Sequence, residues 1–229
     1  MNIVGPDALI FGVDDVEACK QFLLDYGLDD AGDGRFEALD GTAVIIADKE
    51  DSSLPPALET GSMLRKTVYG VADQATLDAI AEELGKDREV KKLDDGSLEA
   101  MDDLGFVLGF QVTIRKKLSL PAGKTNVPGS PDQRPINDVA VSKEAQPKPV
   151  SLSHVVYFVP DYATAEAFYA QRLGFVTTDR FTGVGPFMRP AGTQDHHTMF
   201  MIQTPPHMKG CEHFTFHMMG PSDVMPVSY

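Results

Sequence analysis

The sequence predicts an α+β fold built from tandem βαβββ units, and three observations carry that prediction. One pattern, a short apolar strand, an Asp-containing turn and an amphipathic helix, recurs along the 229 residues. Within each helix stretch the apolar residues fall at helical spacing, so one face is built to pack on a sheet. The intervening stretches are short, apolar and bounded by turn residues, as strands are.

The first copy reads ALIFGVDDVEACKQFLLDYGL from Ala8 to Leu28, with a helix near Val16–Tyr26 and a later strand at Ala43–Ala47. The second begins near Met63 as MLRKTVYGVADQATLDAIAEELG, with a helix over Gln74–Leu84 and a strand at Phe106–Val112. Between Arg115 and Val150 stand six prolines and only scattered apolar residues, the composition of an extended linker or strap. The third copy, HVVYFVPDYATAEAFYAQRLGF, runs from His154 to Phe175. Its helix near Ala163–Leu173 gathers Ala165, Phe168, Tyr169 and Leu173 on one face, and Thr198–Ile202 reads as its last strand. Aligning Val13-Asp14-Asp15, Val71-Ala72-Asp73 and Val159-Pro160-Asp161 sets Phe22 against Phe168. A fourth copy starts at CEHFTFHMMGPSDV and stops almost at once, so it is expected to be truncated. Four units predict two domains: residues 1–114, a linker over 115–150, and an incomplete domain over 151–229.

Charge and composition narrow the function. Residues 1–114 carry 25 Asp/Glu against 9 Lys/Arg, whereas residues 115–229 carry 9 against 11. An acidic half of that size repels phosphate backbones, which excludes nucleic acid as an expected partner. No apolar run approaches the roughly 20 residues that span a bilayer, and the N-terminus lacks the pattern of a signal peptide. Cys19 and Cys211 are too few for a disulfide framework. The expectation is a soluble cytoplasmic protein.

All six histidines lie between His154 and His217, which places the chemistry in the C-terminal part. Period-2 alternation puts His154, Val156 and Phe158 on one strand face, and His213, Thr215 and His217 on another. If the units are related by a pseudo-twofold, His154 and His213 are equivalent and converge. Ala8 and Lys66 occupy that position in the first two copies, so the N-terminal pair cannot build the same site. His217 lies roughly 13 Å along its strand from His213 and is expected at the pocket wall or rim.

The pattern His154-Val-Val-Tyr-Phe-Val-Pro-Asp, then Phe168-Tyr169 with Gly174-Phe175, then Asp195-His196-His197 and Glu212-His213-Phe214, resembles the vicinal-oxygen-chelate superfamily. Within it the sequence is most similar to two-domain type I extradiol ring-cleavage dioxygenases. The repeated fold covers nearly the whole chain, and the specific motifs cover about 154–217. The resemblance implies cleavage of a catechol-like ring by O2 at a mononuclear non-haem Fe(II), with Mn(II) as the alternative metal. It assigns His154 and His213 as metal ligands and His197 as the acid/base beside them. Alternation lets only one of His196 and His197 enter the pocket; the residues do not choose, and the family chooses His197. Phe187 and Met199, with Val156, Phe158 and Met201, are candidates to shape an aromatic pocket, though core packing suits each of them too. The expected partners are a small aromatic diol and O2, with the chain as a homo-oligomer and no membrane association.

The family's third ligand, a Glu about fifty residues beyond the second His, has no counterpart within the chain. Asp195 and Glu212 each stand one position out of phase with a candidate ligand. The 229-residue chain is therefore expected to bind Fe(II) weakly and to be inactive as truncated. A glyoxalase-type isomerase or lyase shares the fold, but the position where it places a Glu is Gln203 here. A non-catalytic, resistance-type binding protein is the remaining alternative.

Overall fold

The computed structural model describes residues 1–121, 124–139 and 144–227, with side chains to residue 224. Parts of the proposed strap (122–123 and 140–143) and the last two residues of the fourth copy lie outside the described residues.

Thirteen strands and four α-helices are described, with one 3-10 turn at Pro206–Met208. The first copy contains β1 (Ile3–Val13), α1 (Val16–Asp25), β2 (Asp29–Gly32), β3 (Arg35–Glu37) and β4 (Ala43–Asp48). The second contains β5 (Leu64–Val71), α2 (Gln74–Leu84), β6 (Lys91–Lys92), β7 (Leu98–Met101) and β8 (Val107–Val112). The third contains β9 (Ser151–Val159), α3 (Tyr162–Leu173), β10 (Phe175–Phe181), β11 (Gly185–Pro190) and β12 (Met199–Gln203). After them come β13 (Gly210–His217) and α4 (Pro221–Val227). Residues 115–150 carry no helix or strand where they are described.

The repeated Asp of each turn has one physical job. Asp15, Asp73 and Asp161 are the N-caps of α1, α2 and α3, each accepting from a backbone N–H of the first helical turn. Gly174 ends α3 in the left-handed region at φ 74°, where a residue without Cβ is unstrained.

Each unit flanks its first strand with its last in parallel: β4 on β1, β8 on β5, and β12 on β9. First strands then pair antiparallel, β1 with β5 and β9 with β13. The result is an eight-stranded sheet in the order β2-β3-β4-β1-β5-β8-β7-β6 and a five-stranded sheet in the order β10-β11-β12-β9-β13. Among the described residues β13 has no strand on its other side.

One apolar core joins the two sheets. Tyr69 packs edge-on against Tyr169 and Phe175, Phe106 meets Tyr157, and Phe11 meets Phe214. Two buried polar contacts fix the register: Thr67 Oγ1 and Tyr157 Oη lie 2.6 Å apart, and the Leu152 N–H donates to Thr42 Oγ1. Arg172 of α3 bonds both Glu83 and Asp87 at the end of α2.

The repeat mates Phe168 and Phe22 differ in environment. Phe168 is 2% exposed beneath the Arg88 guanidinium, while Phe22 is 64% exposed.

Candidate metal centre

The site is built on the face of the five-stranded sheet that turns away from the core. Along β9, Leu152, Val155, Tyr157 and Val159 belong to the core. The step from Leu152 to Val155 breaks strict alternation because β9 bulges there, with Thr215 opposite His154 but Phe216 opposite Leu152. His154, Val156 and Phe158 keep the outward face that alternation predicts, and Ser153 joins them. A second bulge lies on β13, where Cys211 faces Tyr157 and His213 faces Val156, so Glu212 is the extra residue.

Cross-strand register then assembles two rows. On the outward face, Phe187 pairs with Phe200, Phe200 with Val156, and Val156 with His213. In the adjacent register Met188, Met199, Val155 and Phe214 lie in line on the core side. Met199 is fully buried in that core, which corrects its assignment as a pocket residue; Met201 is buried there too. Sequence reasoning missed Phe200, which stacks on Phe187 with ring centroids 4.0 Å apart and planes 9° from parallel. Its alternation with Met199 and Met201 was the available signal.

His154 and His213 are brought together, with their Nε2 atoms 3.3 Å apart. Two metal–nitrogen bonds of about 2 Å at a right angle would set donor atoms about 3 Å apart, so the pair fits two neighbouring positions of one ion. Each ring is also held from behind. Thr215 Oγ1 lies 3.0 Å from His154 Nδ1, and the Glu212 carboxylate accepts from His213 Nδ1. Burial, and then the neighbouring imidazoles of His197, His213 and His217, push the His154 pKa down to about 4. Its ring is therefore neutral near pH 7, as a metal ligand must be. Among the described residues, no group of three or more His, Cys, Asp or Glu completes a donor set.

His197 lies beside this pair, with its ring centroid 4.6 Å from that of His154 and 4.9 Å from that of Phe187. Burial, with the nearby His196, lowers its pKa. The expectation that alternation separates His196 from His197 is corrected. Both precede β12 in a loop, where strand alternation does not apply, and their Nδ1 atoms lie 3.1 Å apart. His196 Nε2 also sits 3.9 Å from Asp179.

His217 is anchored at the far end of β13. Its two ring nitrogens lie within hydrogen-bond reach of Ser151 and Ser153, and Asp195 is 3.7 Å away. Gln203 is engaged elsewhere, with its side chain on Pro160 and Tyr162 at the start of α3. At the place where the first half aligns Lys66, that ammonium pairs with Glu99 at 2.9 Å, both side chains being mostly buried.

A cavity of about 380 Å³ runs along the open edge of β13, lined by Phe11, Phe22, Tyr26, Met63, Phe214 and Phe216 among others. It reaches Glu212 and His213 but belongs to the side that Phe214 and Phe216 face. The imidazole cluster lies on the other side.

These βαβββ units define a vicinal-oxygen-chelate fold. Residues 151–225 match the Glyoxalase/Bleomycin resistance protein/Dioxygenase superfamily. Among solved structures, the chain is similar to the Mn(II)-bound glyoxalase from Novosphingobium aromaticivorans, at 17% identity and a TM-score of 0.69, over 99% of this chain and 69% of that one. It is similar to the 2,3-dioxygenase LapB from Pseudomonas sp. KL28 at 16% identity and a TM-score of 0.67, over 99% and 79%. It is also similar to 2,2',3-trihydroxybiphenyl 1,2-dioxygenase from Sphingomonas wittichii strain RW1 at 20% identity and a TM-score of 0.65, over 99% and 77%. No curated protein sequence matches the chain. No helix among the described residues is long and apolar enough to cross a membrane.

Proposed function

We propose that residues 151–229 form the metal-binding half of an extradiol-type dioxygenase, in which His154 and His213 hold a divalent ion, Fe(II) in preference to Mn(II). The observation that carries this reading is the convergence of the two Nε2 atoms to 3.3 Å on one sheet face. Iron(II), when bound, supplies neighbouring open positions for the two oxygens of an ortho-diol and the redox capacity to use O2.

The chain's own residues have separate tasks. The stacked Phe187 and Phe200 form an aromatic wall next to the imidazoles, against which a catechol ring lies face to face or edge on. His197, between that wall and His154, is within reach of a diol oxygen and can take or return its proton, since its lowered pKa keeps the ring neutral near pH 7. His217, tied to Ser151 and Ser153, closes the rim.

Likeness to a Mn(II)-bound glyoxalase favours a second reading, metal-dependent isomerisation of a thiol adduct. One experiment separates the two. The chain is loaded anaerobically with Fe(II), and binding of catechol and of a glutathione hemithioacetal is measured by calorimetry, with product followed on admission of air. Catechol binding that requires Fe(II) and is lost in His154→Ala and His213→Ala supports the dioxygenase reading, as does a yellow ring-fission product. Isomerisation of the thiol adduct without catechol binding overturns it, and so does catechol binding that ignores the metal.

A further inference from the structure

The bulge in β13 places a carboxylate where strict alternation would have sent it to the other face of the sheet. Glu212 is the extra residue, and its carboxylate meets the Nδ1 of its own neighbour, His213. We propose that Glu212 is a positioning residue that fixes the tautomer of His213, while Thr215 leaves His154 free to switch. This rests on the reading of His154 and His213 as ligands, but the hydrogen-bond order stands on its own chemistry.

An ionised carboxylate only accepts, so the proton of a neutral His213 ring must sit on Nδ1. His213 Nε2 is then a bare lone pair aimed at His154 Nε2, 3.3 Å away. That contact is a hydrogen bond only if His154 donates from Nε2, which leaves its Nδ1 without a proton. Thr215 Oγ1 lies 3.0 Å from that Nδ1 and donates to it. The chain of donors in the metal-free protein thus runs from Thr215 through His154 and His213 to Glu212.

A metal ion needs both Nε2 lone pairs. His213 offers one already. His154 must move its proton from Nε2 to Nδ1, and the Thr215 hydroxyl can accommodate it because a hydroxyl rotates from donor to acceptor. No net proton is gained or lost in that exchange. One ligand is held ready by a group that cannot change roles, and the other is released by a group that can. An outer partner of this kind orients the ring, and its loss typically weakens metal affinity by about 10- to 100-fold.

The test is long-range ¹H–¹⁵N correlation NMR of the metal-free protein at mildly alkaline pH, followed by titration with diamagnetic Zn(II). Single His→Ala variants assign the rings. The expected result is His213 protonated on Nδ1 and His154 on Nε2, with His154 converting to the Nδ1–H form as Zn(II) binds. In Glu212→Ala, His213 shifts toward the Nε2–H form and Zn(II) affinity falls about tenfold or more. Glu212→Gln, whose amide can either donate or accept, gives a mixture. Unchanged signals of the His217 ring, which lies between Ser151 and Ser153 away from Glu212, serve as the fold control. A His213 ring protonated on Nε2 in the parent protein overturns the proposal, as does a Glu212→Ala spectrum identical to the parent. Failure of catechol to bind, with these tautomers as stated, overturns the dioxygenase reading and leaves this one standing.

Discussion

Asp102 shows how strongly a single site can be governed by its surroundings. Its carboxyl is fully buried, and burial raises its pKa to about 6 from 3.8 despite hydrogen bonds from the Leu104 and Phe106 N–H groups. The Tyr169 hydroxyl also donates to it, at 3.4 Å. Because the folded-state pKa lies above the unfolded one, the protonated form favours folding. This stabilisation is complete below about pH 4 and is lost as pH rises through about 6, a change on the order of 3 kcal/mol. Asp102→Asn keeps a carbonyl for both N–H groups and removes the titration. Urea midpoints between pH 4 and 7 should therefore fall less steeply with rising pH in the variant. Identical slopes would show that Asp102 is not held protonated.

At the scale of elements, much was legible in advance. The three helices stand within a residue of where periodicity put them, because each begins at a capping Asp and carries its apolar residues at helical spacing. Capping also makes a prediction for α3. Asp161 accepts from the Ala163 and Thr164 N–H groups at 3.0 and 3.1 Å. Asp161→Ala should cost about 1 kcal/mol in urea unfolding, and Asp161→Ser should recover most of it. A variant as stable as the parent would mean the cap adds nothing beyond packing. What was not legible is what breaks period 2. The bulges on β9 and β13 decide that Ser153 stands beside His154 and that Glu212 reaches His213, and neither has a sequence signature here. The loop before β12 likewise frees His196 and His197 from alternation. Met199 was misplaced for a different reason: an apolar residue suits either face, and only its pairing with Val155 and Met188 assigns it to the core.

At the scale of the whole molecule, the two sheets depend on each other through a mixed apolar and polar interface. Thr67 and Tyr157 form one of its buried hydrogen bonds. Thr67→Val strands the tyrosine hydroxyl and should cost about 1–3 kcal/mol. Tyr157→Phe strands the threonine in the same way, while the double variant should cost less than the sum of the two. Additive costs in a double-mutant cycle by chemical denaturation would show that the two groups do not interact. The same interface orients the five-stranded sheet, on whose outward face the imidazoles meet. The acidic first half builds no such cluster, since Ala8 and the Lys66–Glu99 ion pair occupy the aligned positions.

Whether His154 and His213 share one divalent ion can be read from anomalous diffraction of crystals grown anaerobically with Fe(II). A single strong peak is expected at the iron edge, about 2 Å from the Nε2 atoms of both rings, with the Glu212 carboxylate still on His213 Nδ1 and no peak in His154→Ala crystals. Iron found instead between His196 and Asp179, or His154 and His213 turned apart with no metal between them, would contradict a shared ion.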